Sequence, residues 1–148
     1  VVDYHGSYIT SSMVPVVRGR DRHERAELTM EAFWDMIPSD RFCLVVNEMP
    51  YWDSQKPNVY TSQAILESHL ICQGRKVCDN LNFVSLTRGE VLSALRLNTK
   101  ASKDAVIRAV KLYGLGNPQT EHEADAIATA YASTHLVVDA CIREGVVL

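Results

Sequence analysis

The feature that most constrains the fold is a segment from Thr120 to Thr134, in which a cluster of titratable residues leads into an alanine-rich run. Two glycines and Pro118 break any helix that precedes it. Thr120 and Glu123 have the spacing of a capping box, in which each side chain bonds a backbone amide of the first turn. The alanines that follow are strong helix formers, and their small side chains allow close packing. The segment therefore predicts a buried helix that Thr120 caps and that begins at Glu121.

Four titratable residues crowd the first turn of this helix. Acidic side chains near a helix N-terminus are favoured by the helix dipole, and this alone explains Glu121 and Glu123. His122 and Asp125 are three residues apart and so lie on one face of the turn. Capping and the dipole explain this second pair less well, so His122 and Asp125 become candidate catalytic or metal-ligating residues.

Length and composition predict one globular domain over residues 1–148. A chain of this length buries about two thirds of its unfolded surface. Hydrophobic residues make up 47% and charged residues 22%, which is an ordinary globular balance. The four cysteines form no C-x-x-C pair, and no apolar run approaches the ~20 residues of a membrane span. We therefore expect a cytoplasmic protein with reduced thiols.

The alternation of hydrophobic patterns predicts a mixed α/β domain. In the first long helix, Leu28, Ala32 and Met36 have helical spacing. The apolar residues beside them are Phe33, Trp34 and Ile37, and the whole pattern predicts an amphipathic helix. The predicted elements, in chain order, are a hairpin over 1–17, a helix over 24–37, a strand over 42–46, a helix over 60–76, a strand over 83–86, and helices over 88–95, 103–113 and 121–143.

Glu48 follows the most apolar of the predicted strands. Five consecutive apolar residues, 42–46, are typical of a central strand that is covered on both faces. In open α/β folds, functional groups collect at the carboxyl ends of such strands. Glu48 is therefore a candidate ligand, although a glutamate at a strand end that only reaches solvent is the alternative.

A basic segment precedes the alanine-rich helix. Between Arg88 and Lys111 six Lys or Arg residues stand against two acidic ones, whereas the whole chain has a formal charge of −3. A basic flank beside an acidic cluster is what a metal-dependent nuclease needs, and an ordinary solvated helix face is the alternative. The candidate nucleic-acid-binding residues are Arg88, Arg96, Lys100 and Lys103, together with Tyr51 and Trp52 in the loop after Glu48.

The run H-E-A-D-A-I-A-T-A, residues 122–130, resembles the C-terminal active-site helix of RuvC-type Holliday-junction resolvases. That helix carries an acid or a histidine, two further residues, and then Asp-Ala followed by small and apolar residues. Glu48, the Tyr51-Trp52 loop and the helix over 60–76 are similar to parts of the family in the same order. The segment A-S-K-D-A-V, residues 101–106, resembles the family's basic segment with its lysine. The resemblance covers essentially the whole chain.

The resemblance implies a ribonuclease-H-like fold, with a mixed sheet flanked by helices. It implies a homodimer that cuts two strands of a four-way DNA junction in recombination and repair. The metal would be Mg²⁺, for which Mn²⁺ can substitute, and a branch-migration motor would be a further partner.

The resemblance also implies roles for the candidate residues. Glu48 and Asp125 would be metal ligands. His122 would belong to the same site, where a histidine suits water orientation or proton transfer near neutral pH. Lys103 would neutralise phosphate charge near the scissile bond. Tyr51 and Trp52 would stack on bases that are exposed at the open centre of the junction.

The N-terminus departs from the family's pattern. These enzymes carry a first Asp in an apolar-apolar-Asp-x-Gly strand, whereas this chain has V-V-D-Y-H-G, with one residue too many before the glycine. We therefore expect an N-terminally truncated domain, and whether Asp3 replaces the missing Asp is open. The alternatives are a junction-binding module without catalysis and another ribonuclease-H-like nuclease or transposase.

Overall fold

The computed structural model describes residues 2–5, 8–11, 18–36, 44–50, 54–77 and 82–144. They form a mixed α/β structure, as the sequence predicts, and the predicted elements appear in the predicted order. The elements are β1 Val2–His5, β2 Tyr8–Ser11, α1 Arg22–Asp35, β3 Leu44–Glu48, α2 Pro57–Val77, β4 Asn82–Leu86, α3 Arg88–Ala94, α4 Lys103–Leu112 and α5 Glu121–Glu144.

The strands pair in two separate sheets within the described ranges. β1 and β2 form an antiparallel hairpin with Val2 opposite Ser11 and His5 opposite Tyr8. β3 and β4 form a two-stranded parallel sheet. The larger mixed sheet of a ribonuclease-H-like fold stays a prediction.

The chain divides into two compact units. The first unit contains Val1–Met13, Val46–Met49 and Val84–Leu148, and the second contains Val14–Val45 and Pro50–Phe83. The prediction of a single domain stays a prediction.

In the second unit, α1 packs against α2. The residues that α1 buries are Ala26, Met30 and Trp34, spaced four apart. Trp34 joins Leu70 of α2 in a small core, and burial of this large ring sets the rotation of the helix. Within the predicted amphipathic pattern, Trp34 is buried, Leu28 and Ala32 are half-buried, and Met36 is 40% exposed.

In the first unit, α5 packs against α3, α4 and the β1–β2 hairpin. Ala124, Ala128 and Ala132 lie along one stripe of α5 and are almost completely buried. Their small side chains allow α5 to approach its neighbours closely. The core of this unit consists of Leu86, Val91, Leu92, Leu95, Val106, Ala109, Val110, Ala124, Ile127, Ala128 and Ala132.

Side-chain caps fix where α3 and α5 begin. The predicted capping box at Thr87 is present, because the Glu90 amide donates to the Thr87 hydroxyl and the Thr87 amide donates to the Glu90 carboxylate. At α5 the Glu123 amide donates to Thr120 Oγ1 over 3.1 Å, and the Gln119 amide donates to the Glu123 carboxylate. These caps place the first turns of α3 and α5.

α3 and α4 end in similar turns with different residues. The Leu97 amide donates to the Leu92 carbonyl, and the intervening Arg96 has a φ of 55°. After α4 the Leu115 amide donates to the Val110 carbonyl, and Gly114 has a φ of 66°. Glycine is the usual residue at this left-handed position of a helix C-terminus, so Arg96 carries a backbone cost that Gly114 avoids.

Arg96→Gly should therefore stabilise the protein by about 0.5–1 kcal/mol in urea unfolding, since the exposed arginine contributes little packing. Gly114→Arg is the matched control. A Cβ at Gly114 meets no heavy atom within 4 Å, so this variant should lose a similar amount through backbone conformation alone. An Arg96→Gly protein that is less stable than the parent would contradict the claim that the left-handed backbone of Arg96 lowers stability.

Candidate active site

In the first unit, the ends of β3 and β4 and the starts of α3 and α5 place three charged residues together. The Met49 amide donates to the Leu86 carbonyl over 2.7 Å, which ties the end of β3 to the end of β4. Glu48 is the last residue of β3, and Arg88 is the first residue of α3, just after β4. Asp125 lies near the start of α5.

Glu48 and Asp125 converge on Arg88, although they are 77 positions apart in the chain. Arg88 Nη1 lies 3.9 Å from Glu48 Oε1 and 4.0 Å from Asp125 Oδ1. The two carboxylate oxygens can therefore be no farther apart than the sum of these distances. The side chains of Glu48 and Asp125 are 34% and 24% exposed, so both are accessible to water.

Lys103 lies near this group, at the first position of α4. Its Nζ donates to Glu121 Oε2 over 2.7 Å, and both side chains are exposed. This contact raises the pKa of Lys103, with a smaller contribution from the nearby Asp125, and it lowers the pKa of Glu121. Lys103 therefore remains a cation beside the carboxylates.

The pKa of Glu48 lies above its ordinary value. Partial burial is the largest cause, because it disfavours the ionised carboxylate. The Arg88 guanidinium opposes this effect and lowers the pKa, whereas the negative charge of Asp125 raises it further. Without a bound metal ion, the ionised form of Glu48 therefore lowers the stability of the folded protein.

Glu48→Gln should therefore increase the free energy of unfolding at pH 7 in EDTA by at most about 1 kcal/mol, because the side chain is partly exposed, and should raise the melting temperature accordingly. The raised pKa means that ionised Glu48 destabilises the folded state above this pKa. This destabilisation decreases as the pH falls from above the raised pKa of Glu48 towards its ordinary value of 4.5, because the carboxylate becomes protonated in the folded protein.

The measurement is thermal unfolding of both proteins from pH 7.5 to pH 4, with the exposed Glu31→Gln of α1 as control. The difference between Glu48→Gln and the parent should shrink at the acidic end. A Glu48→Gln protein that is less stable than the parent at pH 7 would show that the contact with Arg88 outweighs the cost of burial.

The structure does not bring the other predicted site residues that it describes into the group formed by Glu48, Arg88 and Asp125. His122 is exposed in the first turn of α5. Among the residues that the structure describes, no group of three or more His, Cys, Asp or Glu side chains is arranged to hold a metal ion, so His122 does not complete such a group with Glu48 and Asp125. Its roles in metal binding and catalysis stay predictions.

The other candidates fall in several places. Arg96 and Lys100 are exposed after α3. Tyr51 and Trp52 lie outside the described residues, so their contact with junction bases stays a prediction. Asp3 lies in β1 opposite Thr10, and its side chain is also outside the described part.

Two pairings were not predicted from the sequence. Arg88 was singled out as a nucleic-acid contact, whereas its guanidinium lies beside both carboxylates. Glu121 was attributed to the helix dipole, whereas it also binds Lys103. Arg88 directly follows the Thr87 cap, and this was the available signal that its position is fixed.

The donor set fits a hard divalent cation. Mg²⁺ prefers carboxylate oxygens and retains several of its waters, so that one or two protein carboxylates are enough. Glu48 and Asp125 supply such oxygens from two separate elements, and both are accessible to water. These two residues would hold the ion.

Comparison with models of protein families, with curated proteins and with solved structures finds no match to this chain. Across the helices that the structure describes, none has both the length and the apolar character needed to span a membrane.

Proposed function

We propose that the chain is a Mg²⁺-dependent endonuclease domain that cuts four-way DNA junctions as a homodimer, with a ribonuclease-H-like arrangement of its site. The observation that carries the proposal is the convergence of Glu48 and Asp125 beside two cations, Arg88 and Lys103. A phosphodiesterase needs such a combination, because carboxylates bind the metal and cations balance the phosphate.

Each candidate residue has a separate role in the proposed hydrolysis. Glu48 and Asp125 would hold the ion, which would supply activation of water and stabilisation of the leaving oxygen. Lys103 contacts a phosphate oxygen next to the scissile bond. His122, exposed on the first turn of α5, accepts or orients a proton of the attacking water.

The ion pair between Lys103 and Glu121 does not prevent this role. Both side chains are about half exposed, and exposed ion pairs contribute little to stability because water and salt screen them. A DNA phosphate can therefore replace the Glu121 carboxylate. Glu121 keeps the ammonium group near Asp125 until the DNA arrives.

Lys103→Ala should weaken binding to every four-way junction by a similar factor, about 3- to 10-fold, and lower the salt slope of log K by about 1. A phosphate contact contributes to binding without reading the sequence. The matched control is Lys111→Ala, an exposed lysine in the last turn of the same helix. A loss of affinity confined to one junction sequence, or an equal loss in the control, would contradict this role.

The test of the proposed function compares a four-way junction with a linear duplex built from the same sequences. With Mg²⁺ we expect paired nicks in the junction, little cleavage of the duplex, activity with Mn²⁺ and none in EDTA. Equal cleavage of both substrates would instead indicate a generic ribonuclease-H-like nuclease or transposase.

A junction-binding module without catalysis is the second candidate. It is favoured by the contact of Arg88 with both carboxylates, which balances part of their charge without any metal. Junction-selective binding that is unaffected by Mg²⁺, without nicks, would support it. The branch-migration motor as a partner stays a prediction.

A further inference from the structure

We propose that Arg88 acts as an internal counter-ion, which holds Glu48 and Asp125 together in the metal-free protein and is displaced by the divalent cation towards a DNA phosphate. The inference rests on the proposed function, because it concerns the same pair of carboxylates. It assigns Arg88 a positioning role that the basic character of its segment does not reveal.

The geometry of Arg88 is that of a loosely held cation. Its Nη1 atom is 3.9 and 4.0 Å from the two carboxylates, whereas N–H···O hydrogen bonds span about 2.7–3.2 Å. The two contacts are therefore mainly Coulombic. The Arg88 side chain is 38% exposed, so the guanidinium can leave without opening the core.

The same charges explain why a cation is needed there. Two carboxylates that converge from different elements repel each other, and removing the positive charge leaves this repulsion unbalanced. A divalent ion supplies twice the charge of a guanidinium and binds oxygen at about 2.0–2.1 Å. Both cations depend on the same carboxylates, so they compete.

The displaced guanidinium remains close to Lys103, whose pKa it lowers by repulsion. The freed guanidinium and the Lys103 ammonium, whose exposed pair with Glu121 a phosphate can replace, together form a site for a phosphate. Binding of the ion should therefore strengthen binding of DNA, and by linkage DNA should strengthen binding of the ion by the same factor.

The experiment measures Mn²⁺ and Mg²⁺ affinity by calorimetry without DNA, and melting temperature with and without the metal, for the parent and three variants. Arg88→Gln should bind the metal about 5- to 10-fold more tightly, because it cannot compete. It should also melt lower in EDTA and gain more from Mg²⁺ than the parent. Arg88→Lys keeps the charge and should behave like the parent.

Arg108→Gln, which removes an exposed arginine from α4 of the same unit, controls for net charge and should change metal affinity less than 2-fold. Metal binding by Arg88→Gln that is no tighter than in this control, or weaker than in the parent, would overturn the counter-ion role and leave the nuclease proposal intact. If neither the parent nor any variant binds Mn²⁺ or Mg²⁺, the proposed function itself fails, and this inference fails with it. Should Arg88→Gln not fold in EDTA, recovery of its folded state by Mg²⁺ supports the role and absence of recovery contradicts it.

Discussion

Glu48→Gln or Asp125→Asn is expected to reduce junction cleavage by at least about a thousand-fold, equivalent to about 4 kcal/mol of transition-state stabilisation. Each amide keeps the shape of the side chain but removes the charge that binds the metal. Affinity for the uncleaved junction should stay within a few-fold, because neither carboxylate is proposed to contact DNA.

The measurement is single-turnover cleavage at saturating protein, which separates the chemical step from binding. Asp104→Asn is the control, because Asp104 is an exposed acid in the first turn of α4 and has no proposed role. A variant of Glu48 or Asp125 that retains more than a tenth of the parent rate would remove that residue from the metal site.

Ala128→Leu should destabilise the protein by about 2–3 kcal/mol and lower the melting temperature by about 5–10 °C. Ala128 is completely buried on the stripe of α5 that packs in the core of the first unit. Three additional carbons have no space there, so α5 must move away from its neighbours.

Ala126→Leu, on a half-buried face of the same helix, is the matched control and should cost less than about 1 kcal/mol. Both variants are compared with the parent by thermal and urea unfolding. Equal losses in the two variants would mean that close packing through the alanine stripe does not hold α5 in place.

The helix starts could be predicted because capping is a local interaction. The Thr87–Glu90 box and the contact between Thr120 and Glu123 each involve residues three positions apart. The burial stripe of α1 could not be predicted in the same way. The amphipathic pattern admits several rotations, and the burial of Trp34 against another element selects one of them.

In the site, too, the sequence predicted the key residues but not the contacts between residues that are distant in the chain. Chemistry and the resemblance pointed to Glu48 and Asp125 as a pair, and the structure brings their carboxylates to one guanidinium. The partners of the cations were not predicted. The contact of Arg88 with Glu48 joins residues 40 positions apart, and that of Lys103 with Glu121 joins residues 18 apart. Such contacts depend on where strand ends and helix starts meet, which charge patterns do not encode.

The most direct test of the shared metal site is a double-mutant cycle on Mn²⁺ binding, measured by electron paramagnetic resonance without DNA. The proteins are the parent, Glu48→Gln, Asp125→Asn and the double variant. One shared site predicts that each single substitution weakens binding more than about ten-fold and that the double variant loses much less than the product of the two losses. Unchanged affinity in either single variant, or losses that multiply as for two independent sites, would contradict it.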